Sequence, residues 1–391
     1  MTELLTRVFG RLPIGWLQLI HNKVRFAAAL AGVAFANILV FMQLGFMGAL
    51  ITTIGLPYSQ MNADILISAS DMNTLADGSP LPRQRMFEAL AVPGVKSATP
   101  LYFGKVDWKQ PDGSIRTLDT FGIDPAVVTF KNPVITAALD DLKISDRALI
   151  DRGTRLAAPA VFRQIDAGKP YTFEAKGRTL TVDRTFFMGG GFAADGYLVV
   201  SDQTFLKLFP SRAAGAPNHI LLTVEPGTSV ATVAKALQEK LPAYDTMVRP
   251  VSEAVAKDQS FQTTQRPVGL VFGFGIVIGI LVGMIIVYQV LSTDVADHIR
   301  EYATFKAIGY PQRFFLSVVF EEALILAVFG FIPGFILALI LYSVVAKLAV
   351  LPVAMTFGRA AIVFLATLAM CTISGAIATR RLARADPADL F

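Results

Sequence analysis

The stretch Pro267–Leu291, PVGLVFGFGIVIGILVGMIIVYQVL, carries no charged side chain. A bilayer's hydrocarbon core takes roughly 20 helical residues to cross, so this run is long enough to span one. Two similar runs follow it, Ala323–Val345 and Ala360–Thr379, and one precedes it, Phe26–Ile51. Between the first and second runs lie more than 200 residues of ordinary soluble-looking sequence. One run, a long gap and three runs predict four transmembrane helices with a large domain inserted between helices 1 and 2. The composition agrees: 53% of the residues are hydrophobic and 17% charged, against about 25% charged in soluble domains. The first run is too long for the 7–15-residue apolar core of a cleaved signal peptide, so it reads as a retained anchor.

Short flanking segments give the orientation. Arg7, Arg11, Lys23 and Arg25 precede the first run; Arg300, Lys306 and Arg313 lie between the second and third; Arg380, Arg381 and Arg384 follow the fourth. By the positive-inside rule both termini and the second–third loop face the cytoplasm. The fold class is then membrane α-helical, N-in and C-in, with a periplasmic α+β domain, in the inner (cytoplasmic) membrane of a bacterium. The expected boundaries are an amphipathic cytoplasmic segment 1–25, spans at 26–53, 263–291, 314–346 and 360–379, and a periplasmic domain with stalk at 54–262. A cytoplasmic loop 292–313, a short periplasmic loop 347–359 and a cytoplasmic tail 380–391 complete it. In the first segment Leu12, Trp16, Leu17 and Ile20 recur at roughly helical spacing, which predicts a helix on the inner membrane surface with Trp16 at headgroup depth.

The inserted domain reads as two strand–helix–strand units. One comprises Ala63–Ser68, Pro82–Ala91 and Val95–Trp108, continued after a Pro111-Asp112-Gly113 turn by Ile115–Ile123. The other comprises His219–Val224, Ser229–Leu241 and Thr246–Val251. Together they predict split βαβ halves with helices on one side of the sheet. Tyr171–Arg184 reads as a hairpin turning at Lys176-Gly177, and Met188–Gly191 (MGGG) as a flexible loop. Ser252–Gln265 is helix-compatible and is expected to continue the second span outward as a stalk.

Several catalytic classes drop out. There is no GxxxxGK[ST] phosphate loop, no GxSxG elbow and no HExxH pair, and His21, His219 and His298 lie far apart. The MGGG segment lacks the strand and helix that a phosphate cradle needs. Net charge is +5 with no dense basic block, so nucleic acid is not an expected partner. No metal, cofactor or catalytic residue is expected in this chain. The single cysteine, Cys371, excludes an internal disulfide.

Polar and small residues in the runs have two readings each. Asn37 and Gln43 either line a path or hydrogen-bond between helices; Glu321 and Glu322 either relay protons or sit at the interface paired with a base. Gly269, Gly273, Gly275, Gly279 and Gly283 let helix backbones approach closely, within one chain or across a homodimer.

The loop Arg300–Pro311, REYATFKAIGYP, is the most specific segment. It predicts a short exposed helix ended by Gly309. With this segment the chain resembles the FtsX/MacB-like permeases of ABC exporters, whose motif Arg300, Glu301, Tyr302, Ala303, Lys306, Ala307, Ile308, Gly309 and Tyr310 match. The one–domain–three layout agrees over the whole chain. AGVAFANILVFMQLGF (Ala31–Phe46), GFIPGF (Gly330–Phe335) and RLARADPADLF (Arg381–Phe391) are similar to the DevC subfamily. The inserted domain, about 210 residues, is smaller than in the larger macrolide exporters, and no ATPase domain is fused.

The resemblance implies a homodimeric, lipid-embedded permease working with a separate ATPase subunit that binds ATP and Mg. The loop helix, with Arg300, Glu301, Tyr302, Lys306, Gly309 and Tyr310, would couple to that ATPase. A periplasmic adaptor (membrane fusion protein) and an outer-membrane duct would complete a tripartite exporter of hydrophobic or lipid-like molecules, driven by mechanotransmission. Two other readings are an FtsX-like regulator of a periplasmic cell-wall hydrolase and a membrane-anchored ligand sensor.

Overall fold

The computed structural model describes residues 13–299, 301, 304 and 308–383. The chain forms two compact units: Met1–Gly48 with Leu270–Ala346 and Val353–Phe391, and Ala49–Gly269 with Lys347–Pro352.

The first unit is helical. A short helix α1 (Ile14–His21) is followed by α2 (Lys23–Gln60), and after the inserted domain come α10 (Pro267–Asp297), α11 (Gln312–Leu348) and α12 (Phe357–Ala383). Four of these, α2, α10, α11 and α12, are long and apolar enough to cross a membrane. Their shared core is built largely from small and branched residues, among them Ala29, Val33, Ala36, Val287, Ala323, Ala327, Cys371 and Ala378. Small side chains let helices approach closely where lipid supplies no hydrophobic drive.

Helix α2 is longer than the expected span. Its 38 residues cover about 57 Å at 1.5 Å per residue, against a hydrocarbon core of about 30 Å. It runs through Pro57, which only forgoes a hydrogen bond to the carbonyl four residues earlier. The half-buried Trp16 ring packs against Phe26 and Phe329, at centroid distances of 6.0 and 5.8 Å.

The second unit holds one nine-stranded sheet among the described residues, in the order β5-β6-β4-β7-β3-β2-β8-β1-β9. The strands are β1 (Ile65–Ala69), β2 (Val95–Lys109), β3 (Ile115–Ile123), β4 (Arg147–Asp151), β5 (Tyr171–Ala175), β6 (Arg178–Phe186), β7 (Gly196–Ser201), β8 (His219–Val224) and β9 (Thr246–Pro250). The β3–β7 and β4–β6 pairs are parallel and the others antiparallel. The two expected strand–helix–strand units are therefore parts of one continuous sheet.

Both faces of that sheet are covered, which corrects the one-sided expectation. In β1, Ile65, Ile67 and Ala69 pack with Met86 of α3 (Gln84–Leu90) and Val233 and Leu237 of α8 (Val230–Lys240). Leu66 instead packs with Tyr58, Met61, Phe121 and Ala254 of α9 (Val251–Thr264). The same alternation divides β7: Tyr197 and Val199 join that second core, whereas Leu198 and Val200 join a third around Trp108 and Phe205. Continuous apolar runs such as ILISA and GYLVVS are what strands buried on both faces require.

Two local readings hold in detail. The β5–β6 hairpin turns at Lys176 and Gly177, with φ of 49° and 75°, as a two-residue turn matched to strand twist demands. The β2–β3 turn closes with the Gly113 N–H donating to Gln110 O at 2.9 Å.

One reading fails. Helix α9 ends at Thr264, and α10 starts at Pro267. The N–H groups of Gln265 and Arg266 both fall back on Phe261 O. Proline lacks the donor to continue the ladder and disfavours helical backbone in the residue before it. Residues 251–264 are therefore a separate helix.

Candidate functional site

Three places carry the sequence-predicted residues: the loop after α10, the polar positions among the helices, and the glycine ladder of α10.

In the loop, Arg300, Tyr302 and Lys306 lie outside the described residues. Glu301 is exposed and lines a cavity of about 340 Å³ with Leu17, Gln18, His21, His298 and Phe314. The Ile308 N–H donates to Thr304 O at 3.1 Å, one helical bond. Gly309 follows at φ 102°, the left-handed conformation that ends helices and that glycine adopts without a Cβ clash. The Tyr310 ring then packs against Phe314, tilted, with centroids 4.8 Å apart. The expected glycine stop is thus present.

Beside this loop is an ionic cluster that sequence reasoning missed. Arg25 Nη1 donates to Asp297 Oδ2 at 2.5 Å and stands 3.9 Å from Asp294 Oδ1. His298 Nδ1 lies 3.6 Å from Asp294 Oδ2. The only signal was a base before the first span and acids at the end of the second, which orientation counting treats separately.

Glu321 and Glu322 are both buried within the helical unit. Glu321 Oε1 accepts from the Trp16 N–H at 3.3 Å. Neither oxygen of Glu322 has a close donor among the described residues, and its carboxyl stands beside that of Asp294. A Cβ on Gly15 would stand 2.9 Å from the Glu322 Cγ, so α1 lies directly over this carboxylate.

Asn37 and Gln43 divide. Asn37 is buried, and its Oδ1 accepts from the Thr367 hydroxyl of α12 at 2.5 Å, an interhelical bond. Gln43 lies against α10: a Cβ on Gly275 would sit 2.4 Å from its Cδ.

The glycine ladder divides too. A Cβ on Gly279 would meet Val40, and one on Gly283 would meet Ala36 and Met370 at 2.8 and 2.3 Å. Gly275, Gly279 and Gly283 therefore serve packing of α10 on α2 inside one chain. Gly269 abuts the backbone of Gln262 and Thr263. Gly273 has nothing within 4 Å, so it alone of the five faces open space among the described residues.

In the inserted domain the MGGG segment is neither loose nor a phosphate cradle. The buried Asp151 carboxylate accepts the N–H groups of Gly153, Met188 and Gly189 at 2.8, 2.9 and 2.8 Å. Burial raises this carboxyl above the usual range, with the three donors pulling the other way. The donors a phosphate would need are spent on a carboxylate of the chain itself.

Residues 273–387 match the family described as FtsX-like permease C-terminal, a segment taking in most of α10 and all of α11 and α12. Over 115 residues the chain is 30% identical to uncharacterized ABC transporter permeases of Mycobacterium bovis and of two strains of Mycobacterium tuberculosis. That match covers 28% of this chain and 31% of each relative, so the chain spans about a third of the length of the curated relatives it matches. The periplasmic region of MacB from Actinobacillus actinomycetemcomitans aligns at 12% identity and TM-score 0.35, over 53% of this chain and 96% of that one. The extracellular domain of the ABC-type transporter YknZ from Gram-positive bacteria aligns at 12% identity and TM-score 0.33, over 48% and 98%.

Four helices are long and apolar enough to cross a membrane, and most of α10 with all of α11 and α12 lies in the segment matched to the FtsX-like permease model. Over that part the chain is similar to ABC transporter permeases.

Proposed function

We propose that this chain is the DevC-like permease subunit of a tripartite ABC exporter. A separate ATPase subunit binds and hydrolyses ATP with Mg, and the chain converts that cycle into motion of its inserted domain. The observation that carries the reading is the REYATFKAIGYP segment, set between the second and third spans inside the region matched to the permease family. The exposed Glu301, ahead of the chain reversal at Gly309, is suited to docking a soluble partner through charge.

By the positive-inside distribution the loop faces the cytoplasm and the inserted domain faces the periplasm, where an adaptor leading to an outer-membrane duct would meet it. The working unit is a homodimer in the inner membrane. Its contact includes the face of α10 bearing Gly273, since the other ladder glycines are used within the chain. The substrate is hydrophobic or lipid-like.

Affinity purification of the full chain from its native membrane tests the reading: an ABC ATPase subunit should copurify, and the chain alone should show no ATPase activity. Recovery without any ATP-binding subunit contradicts it. Substrate efflux by the reconstituted complex separates an exporter from a regulator of an external cell-wall hydrolase, which would move none.

A further inference from the structure

Within the inserted domain a small cavity of about 40 Å³ opens beneath β3 and β7, between the last turns of α2 and helix α9. Its lining includes Asp119, Asp258, Tyr197, Phe103, Thr53 and Gln262. Asp119 and Asp258 are 6% and 3% exposed; Oδ1 of Asp119 faces the Lys105 ammonium at 3.5 Å with no closer donor, and Oδ1 of Asp258 has no close donor, with the Gln262 amide beside that carboxyl. Asp258 is held rigidly by its other oxygen, which accepts from the Tyr58 hydroxyl and the Leu75 N–H, both at 2.9 Å. Asp119 has a single cation near it, the half-exposed Lys105 at 3.5 Å. Lys105 also donates to Ala193 O at 3.1 Å, so it is shared.

A buried carboxylate oxygen without a donor is costly unless something positive or protic fills the space before it. Two such oxygens on one cavity, with one shared, half-exposed lysine beside Asp119 and a neutral amide beside Asp258, leave the site short of positive charge whenever both ionise. Burial pushes the Asp119 carboxyl up to about 6 despite Lys105, so above that pH the deficit is present. The rest of the lining selects the kind of cation. No third carboxylate, histidine or cysteine completes a metal-holding group among the described residues, whereas hard divalent ions take six or more oxygens. Tyr197 and Phe103 supply aromatic surface, which suits an organic ammonium. The volume admits a head group of a few atoms, no more.

We propose that this cavity is a binding site for a primary ammonium head group, held between Asp119 and Asp258. The claim concerns the inserted domain alone and stands whether or not the chain is an exporter.

The test uses the full chain in lipid nanodiscs at pH 7.5 and methylammonium as probe, followed by saturation-transfer NMR of its methyl protons. Saturable millimolar binding is expected, with no binding of methanol, which has similar size and no charge, or of tetramethylammonium, which is too large. Asp119→Asn should weaken binding at least tenfold. Ala193→Leu, at an exposed position on the cavity mouth, should do the same while leaving the core untouched, which covers the case in which the aspartate variant misfolds. Absence of saturable binding, equal binding of methanol, or unchanged binding in Ala193→Leu overturns the proposal. Full displacement by an equal concentration of potassium chloride also overturns it, since the site would then take any bare monovalent cation.

Discussion

The helical unit and the inserted domain use glycine for opposite purposes. In the helical unit Gly32, Gly45, Gly279, Gly283 and Gly330 have ordinary backbone angles, and an added Cβ would collide with a neighbouring helix. In the domain Gly113, Gly168, Gly177 and Gly227 have positive φ and nothing within 4 Å of an added Cβ. One unit needs the missing side chain for close approach; the other needs the freedom of the backbone at turns. Identical residues therefore fail in different ways when replaced.

The largest expected effect is Gly283→Leu. Its Cβ alone would press on Ala36 at 2.8 Å and Met370 at 2.3 Å, so stability should fall by about 3 kcal/mol, the upper range for overpacking. A lowered melting temperature in detergent, with the inserted domain's near-ultraviolet signal retained, checks it.

Next comes a charge effect confined to the domain. His219 is buried in β8, with Nε2 2.9 Å from Leu75 O and Nδ1 3.1 Å from the Ser68 hydroxyl, a geometry that suits a neutral ring. Burial lowers it from 6.5 to about 4. A histidine depressed on folding stabilises fully above the unfolded value of 6.5, and that contribution drains away as pH falls toward 4. Asp119, raised to about 6, acts in the opposite sense: its contribution is complete below 3.8 and is lost as pH rises through 6. The two slopes oppose each other in the wild type, so a variant is needed to separate them. The stability of the wild type relative to His219→Gln should fall by about 3 kcal/mol between pH 6.5 and 4. Hydrogen exchange of peptides from β8 reads it.

Smaller still is Gly177→Ala. No atom obstructs the methyl group, so the cost is the left-handed backbone alone, about 1 kcal/mol. A loss as large as that of Gly283→Leu would break the comparison. At the far end, Gly273→Leu should leave the melting temperature of the monomer unchanged, since nothing stands within 4 Å. It should instead shift the chain from dimer to monomer in cross-linking and mass measurements of nanodiscs. An unaltered dimer would remove this face of α10 from the interface.

What could be read from the sequence follows the range of each interaction. The four spans were legible from length and apolarity alone, and His219–Val224, Ile115–Ile123 and the Lys176-Gly177 turn from residues adjacent in the chain. The short strands Arg147–Asp151 and Gly196–Ser201 were not recognised, because their partners are distant and include parallel neighbours. Coverage of the sheet on both faces was missed because it depends on α9, read first as a stalk, and on the end of α2, which runs on past the expected span. At the candidate sites the Gly309 stop was local and legible. Burial of Glu322 under α1 joins residues some 300 positions apart in the chain, and the cavity holding Asp119 and Asp258 likewise assembles only on folding.

On the proposed function, the loop after the second span docks an ATPase. Glu301→Cys tests it most directly, since the native Cys371 is buried and will not compete for reagent. In membranes holding both subunits, a short thiol–amine cross-linker should join position 301 to the ATP-binding subunit. Charge reversal by Glu301→Lys with Lys306→Glu should uncouple ATP hydrolysis from transport. No cross-link at position 301, together with unimpaired complex formation and coupled hydrolysis in the charge-reversed chain, would contradict the claim.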